Sequence, residues 1–225
     1  MKFILAFLLA FSSFCCYSQN ENILLKFCPL ALVDDISFPT IQGGIEFRLA
    51  RNITWYNEVG IKYRKSYIEN TDTSFLRSSG YKLKTEIRYY FRHRSRSSFE
   101  GSYFASNVFF TKDIHNTQVE YFPNGDTTKK STDVFGVKKN VLGLNIILGH
   151  QKFLSRNLIL DLYAGIGLRF RNVHTIDQEC DPGRDYIIQP IDLNIPAHRN
   201  KIDINGGNSV APNLSLGLRV CYKLY

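Results

Sequence analysis

No stretch of this 225-residue chain has the period of an amphipathic helix. No window longer than ten residues places apolar side chains at i, i+3, i+4 and i+7 behind a capping residue, so an all-helical or α/β fold has nothing to be built from. Nor does any apolar run approach the ~20 residues a membrane-spanning helix needs. Cysteine is scarce, with five in the whole chain. The three beyond residue 18 are Cys28, Cys180 and Cys221. They show no C-x-x-C spacing, and their number is odd, which fits neither a disulfide framework nor a zinc site. Phosphate-binding P-loop, dinucleotide fingerprint and H-E-x-x-H are all missing, so the common nucleotide and zinc chemistries lack their residues.

The chain opens M-K-F-I-L-A-F-L-L-A-F-S-S-F-C-C-Y-S-Q. Lys2 is a one-charge n-region, residues 3–11 are an apolar h-region, and residues 12–18 are small and polar, with a cleavage point after Ser18. This predicts a signal peptide over residues 1–18 and one exported domain over 19–225. A short membrane anchor, or lipidation at Cys15 or Cys16, is the alternative; Phe14 is a poor residue to precede a lipidated cysteine. Lys and Arg number 28 against 20 Asp and Glu, and losing Lys2 with the leader leaves about +7. Such a balance can serve nucleic acid, which an exported protein seldom meets. Anionic lipid headgroups are the expected counter-charge, with no nucleic-acid partner.

What the sequence has instead is a period of two. In residues 157–173 the apolar row Leu158, Leu160, Leu162, Ala164, Ile166, Leu168, Phe170 alternates with Ile159, Asp161, Tyr163, Gly165, Gly167, Arg169, Arg171. At ~3.3 Å per residue the apolar row is ~40 Å long, enough to cross a hydrocarbon core even when tilted. Similar alternation predicts strands at 22–30, 40–49, 53–65, 81–91, 99–110, 140–151 and 213–225, eight with the one just described. The strand at 99–110 has aromatics on both parities, so its facing is open. Connections alternate in length. Residues 50–52, 92–98 and 152–157 are short links, whereas 31–39, 66–80, 111–139 and 172–212 are long. Pro123-Asn124-Gly125 reads as a hairpin tip, which would lengthen the two strands flanking it.

Alternation alone does not say which face points inward, and a soluble lipocalin-like barrel keeps its apolar row inside. Three features favour the inverse. Gly44, Gly60, Gly143, Gly149, Gly165, Gly167 and Gly217 lie on the charged face, where a narrow barrel needs space. The apolar rows of the last two strands are unbroken. Tyr63, Tyr81, Tyr89, Phe91, Phe170 and Tyr222 end apolar rows, where an aromatic girdle would be.

The leader, the eight alternating strands, the short-long connections, and the final strand P-N-L-S-L-G-L-R-V-C-Y-K-L-Y together resemble the small outer-membrane β-barrels of the OmpX and OmpA-barrel type. The segments L-L-K-F-C-P-L and I-Q-G-G-I-E-F-R-L-A are similar to openings of such barrels. Tyr225 departs from the pattern, falling on the Lys223, Cys221, Arg219 face rather than in phase with the lipid row. The resemblance implies an all-β fold, an eight-stranded antiparallel transmembrane β-barrel with short periplasmic turns and long extracellular loops. It also implies an outer-membrane location after export, outer-membrane lipids, lipopolysaccharide and the outer-membrane assembly machinery as partners, and a monomer.

On the inward face Glu46, Glu58, Glu86 and Asp161 would share the lumen with Lys26, Arg48, Lys62, Arg64, Lys82, Lys84, Arg88, Arg169, Arg171, Arg219 and Lys223. Charges cannot stand unpaired in a dry core, so the expectation is a salt-bridged plug. A narrow ion path is the functional alternative. Acid–base catalysis by Glu46 and Glu58 is disfavoured because bases close to each keep both ionised. A lipid-modifying enzyme is the second alternative, but the H-x-S of one lipid A deacylase family is absent: His198 is followed by Arg199 and Asn200. His115, His150 and His174 have no matching Ser or carboxylate in sequence. Asp177, Glu179, Asp181 and Asp185 lack the calcium-loop pattern and read as a solvated acidic loop. Cys28 and Cys221 fall on neighbouring strands of a closed barrel, which allows a disulfide or two separately packed side chains. The expectation is therefore a structural or surface-interaction role carried by loops 111–139 and 172–212. No enzymatic activity, cofactor or metal is expected.

Overall fold

A computed structural model describes residues 23–34, 37–63, 78–91, 99–188 and 206–224. It contains β1 (Ile23–Phe27), β2 (Thr40–Arg48), β3 (Ile53–Lys62), β4 (Ser79–Tyr90), β5 (Gly101–Phe122), β6 (Ser131–Phe153), β7 (Leu158–Ile176), β8 (Tyr186–Ile188) and β9 (Gly207–Lys223). Each long strand pairs antiparallel with its sequence neighbour. β1 also pairs with β9 through Lys26↔Cys221, and β4 pairs with β5 through Glu86↔Asn107, so eight strands close in a ring. β8 adds to the outer part of β5 through Tyr121↔Ile187. The expected eight-stranded antiparallel barrel is the fold. The leader at 1–18, the link at 92–98 and Tyr225 lie outside the described residues.

The pleat sorts side chains by parity. Lys26, Glu46, Tyr56, Glu58, Glu86, Arg88, Asp161 and Arg219 are buried inside, while Ile166, Leu214 and Leu216 stand on the outer wall at 65–69 % exposure. This inverts the usual rule for burial and is opposite to a lipocalin. β5, whose facing the sequence left open, turns Tyr103, Ala105 and Asn107 inward and Phe104, Ser106 and Val108 outward.

The expected short turns at 50–52 and 152–157 are formed, whereas two of the expected long connections are partly strand. At one end β2–β3 closes with Leu49 N–H donating to the Ile53 carbonyl at 3.0 Å, and β6–β7 with Leu154 N–H donating to Leu158 at 2.8 Å. The start of β1 and the end of β9 lie at this turn end, with Leu24 opposite Lys223. At the other end, 111–139 is not a loop. β5 and β6 run on as a two-stranded ribbon, paired continuously to Tyr121↔Ser131. Thr, Val, Ile and Tyr in 111–121 favour the strand. Asn124 (φ 51°) and Gly125 (φ 74°) supply the left-handed backbone of the tip. Residues 172–212 likewise begin and end as strand and contain β8.

The interior is layered. Leu24, Phe99, Ile159 and Cys221 form an apolar layer at the turn end. Charged side chains fill the middle. At the loop end the β1–β2 connection folds in, burying Ala31 and Phe38. A separate small core of Val119, Tyr121, Phe135, Val137, Val173 and Cys180 sits under the ribbon. All three described cysteines are free. Cys221 faces Lys26, and Cys28 lies two residues further along the chain, just past the end of β1, so the Cys28–Cys221 disulfide is not formed and the two pack separately.

Candidate functional site

The middle layer is built on glycine. Any Cβ at Gly149 or Gly217 would collide with the rings of Tyr103 and Tyr163, their cross-strand neighbours; one at Gly44 would come within 2.7 Å of the Tyr56 ring. The space expected to admit long cations is thus taken first by tyrosine rings lying flat against the wall. The cations come next. The Arg219 guanidinium lies 3.9 Å from the Tyr163 centroid and 4.6 Å from that of Tyr56. The guanidinium of Arg88 lies 4.5 Å from the Tyr103 centroid and 4.6 Å from that of Tyr56. Weakly hydrated, planar guanidinium tolerates such a site better than ammonium would.

Four carboxylates close the layer. Glu46 meets Lys26 at 2.6 Å and Arg88 at 3.1 Å. It also accepts from Tyr90 at 2.8 Å, Gln151 at 3.1 Å, and Thr54. Asp161 meets Lys26 at 2.8 Å, Arg88 at 3.0 Å and Arg219 at 3.6 Å, and accepts from Tyr103 at 2.8 Å. Glu86 bridges Arg88 at 2.5 Å and Arg219 at 2.6 Å. Glu58 takes Lys84 at 2.7 Å and Arg219 at 3.2 Å, with Tyr56 at 2.5 Å and the Cys28 thiol at 3.1 Å as further donors. Four acids therefore face four bases, Lys26, Lys84, Arg88 and Arg219, and each acid touches at least two of them. A closed, neutral cluster is the arrangement in which buried charges can persist.

Of the predicted lumen residues, Glu46, Glu58, Lys84, Glu86, Arg88, Asp161 and Arg219 converge here, with Lys26. Arg171 stands towards the loop end of β7, opposite Val141, and Lys223 at the turn end of β9, opposite Leu24; four others also lie apart. Lys62 pairs with Asp113 at 2.7 Å and Lys82 with Asp34 at 2.7 Å, both beside Phe38 at the loop end. Arg48 stacks 4.5 Å from Phe99 at the turn end. Arg169 stands three repeats of the pleat beyond Tyr163 on β7, paired in register with Gly143 and Ala211. Arg64 lies outside the described residues. Distance along the barrel axis separates these groups: strands shift against one another, so shared parity does not mean shared height. The sequence reading missed Asp34 and Asp113, assigned to connections, and the inward tyrosines. Tyr56, Tyr90 and Tyr163 were signalled by sitting on the charged parity.

Two further readings are refined. His150 does have a serine partner: Ser102 lies opposite on β5, with Oγ 3.0 Å from Nδ1 on the outer wall. No carboxylate bonds to that ring among the described residues. The acidic run 177–185 caps turns. Asp185 accepts from the Asn124 N–H at 3.0 Å and the Asp181 N–H at 2.8 Å, which holds its carboxyl below the usual range. Asp133 accepts from the Glu179 and Cys180 N–H groups at 2.8 and 2.9 Å. Burial pushes the Cys180 thiol up to about 11. No cluster of three or more metal-ligating side chains occurs among the described residues.

A family profile described as a protein of unknown function, DUF3575, matches residues 5–183. No curated protein and no solved structure matches the chain.

Proposed function

The chain belongs to the DUF3575 family, and on that premise we propose that it is an outer-membrane barrel of the OmpX and OmpA-barrel kind, exported by its leader, with a plugged lumen and a structural or surface-interaction role carried at its loop end. One observation carries this reading: the barrel is inside-out. Its outer wall is a continuous field of exposed Leu, Ile, Val and Phe, far beyond the few hundred Å² a water-soluble monomer leaves uncovered. The acids and bases of the middle layer are inside. Hydrocarbon is the solvent that suits such a wall, and a closed ring leaves no sheet edge to satisfy there. The girdle residues agree. Tyr89, Phe91 and Tyr222 are exposed at the turn end, Tyr63, Tyr81 and Phe170 at the loop end. Short turns then face the periplasm and the ribbon faces outside.

The neutral middle layer supports a plug: eight strands leave an interior that side chains just fill. The ribbon, with β8 and its capped loop, is the part of the described molecule that projects beyond the apolar wall, and so is where contact with a partner would occur.

The test uses Trp55, the chain's single tryptophan, which lies on the outer parity of β3 and donates to Thr85 Oγ1 at 2.7 Å. Refolded into vesicles of bromine-labelled phosphatidylcholine, the protein should lose most of its Trp55 emission relative to unlabelled vesicles. Equal emission in both would overturn the membrane reading.

A further inference from the structure

Hydrogen-bond register aligns the outer wall near the loop end into three successive cross-strand rows. The lowest is apolar: Phe110, Leu142, Phe170 and Val210 are successive cross-strand partners on β5, β6, β7 and β9. One step up, Lys112, Asn140, Asn172 and Asn208 are partners in the same way, and the Asn172 amide donates to the Asn208 carbonyl at 2.7 Å. One step higher, Lys138 pairs in register with His174.

The apolar row and the asparagine row line a shallow groove of ≈ 390 Å³. Its floor is half-exposed, with Leu142 at 50 % and Phe170 at 51 %. Above it Lys138, Asn172 and His174 are exposed and Lys112 is partly so. Among the described residues, no Asp or Glu occupies an outward position of this wall from the apolar row to Lys138 and His174. Apolar groove, amide row and acid-free basic crown therefore follow one another along the barrel axis. An amphiphile with a hydrocarbon tail, a hydrogen-bonding neck and an anionic head has the same order of chemistry.

We propose that this wall is a lipid site: it holds one phosphorylated, net-negative lipid, its acyl chain in the groove over Leu142 and Phe170, and its headgroup phosphate against Lys112, Lys138 and His174. The inference rests on the membrane reading above and adds a preferred lipid at a defined place. Bulk lipid would coat any apolar wall. What selects here is the charge, since a Lys near an anionic headgroup contributes roughly one factor of five to ten in affinity.

The experiment is native mass spectrometry of the protein purified from membranes in mild detergent, titrated with phosphatidylglycerol or with phosphatidylcholine. The wild type should retain one phosphatidylglycerol well before it retains phosphatidylcholine, and added salt should weaken that retention. Lys112→Gln/Lys138→Gln should lower retention roughly tenfold or more, while Lys152→Gln, at the turn end of β6, should leave it unchanged. Equal retention of the two lipids by the wild type, or full retention by the double variant, would overturn the site. Flotation of the wild type with phosphatidylcholine vesicles separates the two readings. A protein that floats but shows no preference loses the site alone, and one that does not float loses the membrane reading with it.

Discussion

Glu58 shows how a single side chain holds this interior. It receives Lys84, Arg219, Tyr56 and Cys28 from four different strands or their ends. Glu58→Gln keeps the shape, deletes one charge and strands part of a buried cationic pair, a change that typically costs ~3–5 kcal/mol. Tyr103→Phe is the milder comparison: the ring still covers Gly149 and lies under Arg88, and only the bond to Asp161 goes, at ~1–3 kcal/mol. Urea unfolding of the refolded barrel should therefore show a lower midpoint for both, and a clearly larger drop for Glu58→Gln. Which residues would face inward was legible in the sequence, because strand parity fixes side and the two sides differ so sharply in polarity. Who would pair with whom was not. Arg48 and Arg88 share parity with Glu46 in the ring, yet Arg88 ion-pairs with it at 3.1 Å while Arg48 stacks on Phe99, because partnership depends on the shift between strands, which alternation does not encode.

At the scale of elements, the barrel strands were readable, and the ribbon was signalled only by its tip, Pro123-Asn124-Gly125, which marked a hairpin that lengthens both flanking strands. Residues 111–122 lose strict alternation because, above the wall, both sides of the ribbon meet different surroundings: Val119 and Tyr121 pack on the small core. The length of 111–139 therefore looked like loop, although the Pro-Asn-Gly tip in its middle pointed to a hairpin. The cap on this ribbon depends on Asp133, whose carboxylate holds the two N–H groups at Glu179 and Cys180. Asp133→Ala should loosen that segment and expose Cys180, which is buried in the wild type. Maleimide labelling at neutral pH should be slow in the wild type, where the thiol is held near 11, and markedly faster in the variant, with Cys28 and Cys221 still protected inside the barrel. The second clasp, Asp185, sets a pH limit. Its carboxyl is lower folded than unfolded, because backbone N–H groups of Asn124 and Asp181 favour the anion. The clasp is thus fully present above the ordinary Asp value of ~3.9 and lost as pH falls through the lower folded value. Amide exchange at Asn124 and Asp181 should accelerate on acidification only in that range, and Asp185→Asn should remove the transition.

For the whole molecule the question is whether the ring encloses a path. Two barriers lie in series. At the turn end Leu24, Phe99, Ile159 and Cys221 form an apolar layer, and above it the four acids and four bases span the lumen. Arg219 ties three of the four carboxylates together, Glu58, Glu86 and Asp161. In planar bilayers the wild type should be silent, since an ion would have to cross dry apolar side chains and then displace bonds in a neutral, closed cluster. Arg219→Ala removes the bridge, opens space beside Tyr163 and leaves four carboxylates against three bases. The sign of the result follows: any current that appears should be carried by cations. A wild type that already conducts, with anions preferred, would overturn the plug. A folded Arg219→Ala that stays silent would place the barrier in the apolar layer instead, and Phe99→Ala combined with Arg219→Ala should then open it. The two layers act on different properties of the ion, hydration at one and charge at the other. Selectivity for cations should therefore track the net charge of the middle layer, whichever layer sets the size of the current.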